Sequence, residues 1–482
     1  MEIDQSAMQE KAGPLTRAWG LLKALPGMAE AEILRVAKSI KKLGKDDPRR
    51  IIHSLKVGLA LTLLSLIYYL RPLYDGFGTA GIWAVLTVVV VFEFTVGGTV
   101  SKSLNRGFAT LVAGALGLGA QQLASLFGDK GDPIVLGILV FLLAAVSTFM
   151  RFFPQIKARY DYGVLIFILT FSLIAISGFR VEELLQMARQ RLSTIIVGGA
   201  TCIVVSICIC PVWAGETLHN SVAANIEKLA SYLEGFGGEY FQSCERSISD
   251  KSFLQGYKNV LNSKSTEESM ANLARWEPGH GRFRSRHPWK QYLKIGALTR
   301  QCACHIETLN GYINTDIHAP LKFRCKIQGP CTRMSIECSM ALESLALAIK
   351  TMTLPSSANV HVENSKTAIK DLKIAIKTVS LDHDQDLLAI VPAATVATII
   401  IEIVKCVEIL SESVHELSDL AHFKSVEPTV SLEKPPFLHR GSIKPVLEGD
   451  ADRVIIAIDV KSADSPESEN TQGPMPGQRL EV

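Results

Sequence analysis

The sequence predicts an all-α protein, with a six-transmembrane-helix membrane domain followed by a cytosolic helical domain. Three observations predict it. Apolar residues make up 48% of the 482 positions, yet they concentrate between about residues 50 and 212. Within that stretch they form runs of the ~20 residues that a helix needs to cross a ~30 Å hydrocarbon core. Beyond it the chain is polar and charged, and its apolar residues recur at three-and-four spacing, as on amphipathic helices.

Residues 1–48 are expected to form a cytosolic amphipathic segment. Trp19, Leu21, Leu22, Leu25, Ile33, Leu34, Val36 and Ile40 alternate with lysines and arginines, broken at Pro26 and Gly27. No compact apolar stretch precedes a small-residue cleavage site, so no signal peptide is expected. Two placements remain open, the inner membrane face and the protein's own soluble part.

Residues 49–212 hold the six expected spans, Ile51–Leu70, Ile82–Val100, Phe108–Phe127, Pro133–Met150, Tyr162–Ser177 and Leu192–Pro211. Short connections marked by Gly, Asp or Pro separate them. The distribution of Lys and Arg orients them. KKLGKDDPRR precedes the first span; Lys102 and Arg106 follow the second; Arg151, Lys157 and Arg159 follow the fourth. The opposite loops carry Asp75, Asp129, Asp132, Glu182 and Glu183. Both termini are therefore expected in the cytosol.

Residues 213–425 are expected to be a cytosolic helical domain. Met334, Cys338, Leu342, Leu345, Ile349 and Met352 share one helical face, as do Val396, Ile399, Ile403, Val407, Leu410, Val414 and Leu417. The run LLAIVPAATVATIII is not expected to be a seventh span. It is short, holds Pro392 and runs directly into Glu402, Lys405 and Glu408. In residues 426–482 Pro, Ser, Glu and Gly dominate, the composition of a mostly disordered tail.

Several function classes drop out. A net charge of +3 calls for no nucleic-acid partner. The ten cysteines all lie beyond residue 200 without the spacing of a disulfide framework, and the large C-terminal part reads as reduced. Cys302, Cys304 and His305 lie too close on one helix to wrap a tetrahedral ion. The chain contains no nucleophile elbow, phosphate loop or metal-ligand spacing, so neither enzyme activity nor a cofactor is expected.

The chemistry lies in the membrane charges. VVVVFEFTVGG places Glu93 within an apolar run, where a carboxylate costs roughly 2.5–3.5 kcal/mol on insertion scales. Pairing with Lys56 or Arg106 offsets that cost, and a protonatable gate is the competing reading. Cations then remain in excess: Lys56, Lys102 and Arg106 toward the cytosol, Arg191 at the start of the sixth span. Basic groups along a path attract anions, and a guanidinium fork matches a carboxylate. Arg106 leads GFATLVAGALGLGA and Arg191 leads LSTIIVGGATCIVV on antiparallel helices, so the two arginines are expected at opposite ends of one path.

Several long motifs carry a resemblance. DDPRRIIHSLKVGLALTLLSLIYYLRPLYDGFG, WAVLTVVVVFEFTVGGTVSKSLNRGFATLVAGALG, RFFPQIKARYDYGVLIFILTF, RLSTIIVGGATCIVVSICICPVWAGE and RWEPGHGRFRSRHPWKQY resemble the plant aluminium-activated malate transporter family over about residues 45–425. The resemblance implies a homodimeric anion channel that carries malate and other small anions across the lipid bilayer. The plasma membrane is favoured over the vacuolar membrane. It also implies that Arg106 and Arg191, with Lys102 alongside, line the anion pathway, and that Glu93 belongs to a shared FEF motif. Asp75 and Glu182 match a cation-sensing acidic patch, but Gln186 stands where another acid would contribute, so little aluminium dependence is expected. The fold also resembles aromatic-acid efflux proteins, which keeps a proton-coupled organic-acid exporter titrating at Glu93 as the alternative.

Overall fold

The computed structural model describes residues 34–69, 81–176, 181–241, 254–284, 286–313, 320–379 and 387–425. Among them the regular structure is helical, apart from two isolated β-bridges. Asp75 and the tail 426–482 lie outside the described residues.

A helix over residues 34–46 leaves Leu34, Val36, Ile40 and Leu43 exposed. The apolar region follows as α1 (Pro48–Tyr69), α2 (Gly81–Val91), α3 (Val96–Ser125), α4 (Gly128–Met150), α5 (Pro154–Ile176) and α6 (Val181–Cys208). It packs around two cores. Ala60, Leu64, Ala84, Val88, Phe92, Cys202 and Val205 join α1, α2 and α6; Ala113, Ala120 and Phe171 join α3 and α5, with α4 against them. Many large side chains outside these cores are exposed, among them Leu55, Phe108, Phe141 and Phe149. That pattern suits a hydrocarbon solvent.

The second predicted span differs from the structure in an informative way. α2 has 11 residues, about 16 Å at 1.5 Å per residue, half the hydrocarbon thickness. The chain breaks at Phe92–Thr95, and α3 then runs for 30 residues. Thr95 is the reason. Its backbone is extended and its hydroxyl accepts from the Gly98 N–H at 3.2 Å, which makes it an N-cap. Lys102 and Arg106, expected in a loop, are therefore inside α3.

Adjacent glycines bring α6 close to two neighbours. A Cβ on Gly198 would lie 2.9 Å from the Ala84 carbonyl of α2, and one on Gly199 3.5 Å from Ser103 of α3.

The remaining helices are α7 (Ala214–Phe241), α8 (Gly256–Leu261), α9 (Lys264–Ala274), α10 (Trp289–Ile313), α11 (Leu321–Thr351), α12 (Ser356–Val379) and α13 (Leu387–Ala421). They enclose one large core that includes Tyr232, Phe236, Tyr257 and Tyr292. The serine hydroxyls of α11 bond to α7 carbonyls, Ser335 to Leu233 at 2.5 Å and Ser339 to Ala230 at 2.9 Å, so close packing leaves no buried donor unpaired there. α13 is long and apolar enough to cross a membrane by length and composition. Its predicted face is nonetheless buried in this core: Val396, Ile403, Val407, Leu410, Val414 and Leu417. Its other face carries Glu402, Lys405, Glu408 and Glu416, each in an ion pair.

Candidate functional site

The break before α3 sits at the junction of the apolar helices and the helices that follow. A helix N-terminus leaves its first N–H groups unsatisfied and attracts anions, so their partners matter. The Val96 N–H donates to the Val212 carbonyl at 2.9 Å, and the Thr99 N–H to the Thr95 carbonyl at 3.1 Å. Thr95 takes the Gly98 N–H, and Glu277 takes that of Gly97. Every donor of the first turn is spent. The break is a clasp, with no vacancy for an anion.

Glu277 holds the clasp from the turn between α9 and α10. Its Oε1 accepts the Ala214 N–H at 2.5 Å and its Oε2 the Gly215 N–H at 3.1 Å. One carboxylate thus serves the N-termini of α3 and α7. Burial pushes the Glu277 carboxyl above its ordinary value, against the opposing pull of these N–H groups and of His280. A Cβ on Gly97 would collide with the Leu273 carbonyl, which explains the glycine. Trp213 stacks on His280 in the same turn, ring centroids 3.7 Å apart at 9°.

Glu93, expected to pair with Lys56 or Arg106, pairs with Lys102 instead. Both side chains are about a third exposed (39% and 34%), and Lys102 lies over the Tyr162 ring, 5.5 Å from its centroid. The correction has a simple cause: the break folds Glu93 back beside the first turns of α3. Lys56, only 3% exposed, donates from Nζ to the Cys210 carbonyl at 2.8 Å, in the turn just beyond the end of α6.

Among the described residues neither Arg106 nor Arg191 makes an ion pair. Arg106 is 5% exposed; its Nη1 donates to the Tyr162 hydroxyl at 3.0 Å, and its Nε is buried without a partner. Ser103 Oγ and Thr110 Oγ1 are likewise buried and unpartnered. Positions 103, 106 and 110 fall on one face of α3, so the three form a polar stripe spanning ~10 Å of helix. Arg191 sits over the Trp83 ring, its guanidinium carbon 4.0 Å from the centroid. Arg106 and Arg191 are close enough for their like charges to repel. Burial without counter-charge is costly for an arginine.

Sequence reasoning missed Ser103, Thr110, Tyr162 and Trp83. The helical spacing of Ser103 and Thr110 about Arg106 was available to find the first two. Of Glu182 only the place in the first turn of α6 is described, and the notion of an Asp75–Glu182 cation patch is untouched by the structure. Cys302 is buried and Cys304 exposed on α10, so the two face different ways.

A sequence profile described as "Aluminium activated malate transporter" matches residues 41–386. The chain belongs to that family. Among similar curated members are aluminum-activated malate transporter 2 of Arabidopsis thaliana, 47% identical over 92% of this chain and 89% of that protein. Aluminum-activated malate transporter 1 of the same plant is 48% identical over 90% of each chain, and that of wheat, Triticum aestivum, 44% identical over 89% of this chain and 95% of its own. Members of the aluminium-activated malate transporter family are transporters, not enzymes. Membership together with the apolar helices makes this chain an integral membrane protein.

Proposed function

We propose that the protein is a passive malate-permeable anion channel in a plant membrane, the plasma membrane in preference to the vacuolar one. It works as a homodimer with six spans per chain and both termini in the cytosol; residues 49–212 form the pore domain and 213–425 the cytosolic domain. One observation supports the reading: the buried stripe on α3 in which Ser103 Oγ, Arg106 Nε and Thr110 Oγ1 lack a hydrogen-bond partner, with the like charge of Arg191 felt there and, among the described residues, no ion pair to either arginine. Unpaired polar atoms in a protein interior call for water or an ion. Two guanidiniums facing one region replace the hydration of a dicarboxylate with charge-assisted, fork-shaped donors. The hydroxyls of Ser103 and Thr110 supply further donors along the way. Lys56, held by the Cys210 carbonyl, keeps the cytosolic approach positive, while Lys102 is neutralised by Glu93.

The competing reading, proton-coupled export titrating at Glu93, loses support from the Glu93–Lys102 pair, which gives that carboxylate a structural task. Voltage clamp with malate on one side and chloride on the other separates the two. A channel reverses at a potential set by the anion gradients and indifferent to a pH gradient. Arg106→Ala and Arg191→Ala each lower malate current severalfold at equal surface expression. Unaltered current and selectivity in both variants, or coupling to pH abolished by Glu93→Gln, defeats the proposal.

A further inference from the structure

The RWEPGHGRFRSRHPWK segment holds more positive charge than its fold employs. Between α9 and α10 it walls a cleft of about 700 Å³, lined by Arg275, Arg284, Arg286 and Lys290 with His280 and Trp289. Other cations nearby are engaged. Arg282 donates to the Lys350 carbonyl at 3.0 Å, Lys294 pairs with Glu416 and Arg300 with Glu267. The four in the cleft are exposed, and among the described residues none makes an ion pair. The acid lining the cleft, Glu277, has both oxygens committed to backbone N–H groups. Arg275 is further repelled by Arg159 at the start of α5.

Two details favour a built site over a solvated face. Arg286 adopts φ 64°, a left-handed conformation that a long side chain rarely takes and that clusters at ligand clamps. The cleft is also anchored, because Glu277 fixes its wall to the starts of α3 and α7. Charge then selects the ligand class. A dicarboxylate brings two negative charges to four cations, whereas each phosphate monoester carries about −1.5 to −2 at neutral pH, so two phosphates match. The volume lies within the ~300–1,000 Å³ range of small-molecule sites.

We propose that this cleft binds an anion carrying two or more phosphate groups, as a polyphosphorylated lipid headgroup or as a free polyphosphate. Its position beside the first turn of α3 puts it within reach of both sources. The full chain in phosphatidylcholine nanodiscs provides the test. A fluorescent short-chain phosphatidylinositol bisphosphate is read by anisotropy, and inositol hexakisphosphate by calorimetry. At least one binds saturably, and combining Arg284→Gln, Arg286→Asn and Lys290→Gln weakens it tenfold or more. Asn tolerates the left-handed backbone, and gel filtration checks the fold. Should the triple variant misfold, Lys290→Gln alone still weakens binding severalfold. Binding of one probe only identifies the source. The proposal is overturned if neither probe saturates, if Lys290→Gln and the folded triple variant bind as the wild type does, or if malate displaces the probe as well as inositol hexakisphosphate. The readout is binding and not current, so either outcome is independent of whether the protein conducts malate.

Discussion

Replacing Glu277 by Gln leaves the side chain its shape and removes half of its accepting capacity. Glu277 takes the Ala214 N–H on one oxygen and the Gly215 N–H on the other, at 2.5 and 3.1 Å, with the Gly97 N–H also directed at the carboxylate. A glutamine keeps one oxygen and turns an NH₂ toward the remaining donors. At least one buried N–H then faces another donor, which costs about 1–3 kcal/mol. Loss of the negative charge at the start of α7 adds about 0.3–1 kcal/mol. The sum, about 1.5–4 kcal/mol, lowers the apparent melting midpoint by roughly 3–15 °C for a unit of this size. Thermal gel filtration of the detergent-solubilised full chain measures that shift. Because the same carboxylate clasps α3, the variant also alters malate transport at equal expression. A midpoint within a degree of wild type would refute the idea that Glu277 joins the two helices.

Other expected outcomes follow the same geometry. Gly97→Ala drives a methyl into the Leu273 carbonyl, backbone against helix start, and destabilises by about 1–3 kcal/mol, with correspondingly lower expression of folded protein. His219 and His287 share the Tyr292 hydroxyl at 2.9 and 3.2 Å, and burial lowers both to about 4. Their contribution is complete above pH 6.5 and erodes as pH falls from 6.5 toward 4, because only the unfolded chain takes up protons there. The melting midpoint of His219→Gln therefore falls less between pH 7.5 and 5 than that of wild type. Burial also pushes the Cys331 and Cys338 thiols up to about 12, so maleimide labels the exposed Cys304 and Cys325 in the folded protein and reaches Cys331 and Cys338 only after denaturation.

Periodicity revealed what packing requires. The faces Met334–Met352 and Val396–Leu417 are buried as their spacing predicts, because one core side is enough to define them. The interruption at Phe92–Thr95 was hidden because apolar residues continue on either side and Thr95 is one threonine among several; only its backbone and hydroxyl show the cap. The partner of Glu93 was hidden for the same reason, since without the break Lys102 lies too far along a continuous helix. The closeness of Arg106 to Arg191 depends on where α6 crosses α3 at Gly199 and Ser103, a register that residue types do not encode. The arginines themselves were legible, as cations in excess of the one acid expected to pair among them.

The burial of α13 has a consequence for synthesis. The chain emerges with a stretch as greasy as its own bilayer helices, long after the last of them. Insertion machinery reads hydrophobicity over about a 19-residue window, and Val396 to Leu410 supply much of one. α10, α11 and α12 are made earlier and already present the surface that α13 covers. Docking of the newcomer onto that surface would keep it out of the lipid, and the glutamates along it would penalise misdirected entry. A variant that loosens α10 or α11 would thus show its defect first as wrong topology, before any loss of transport.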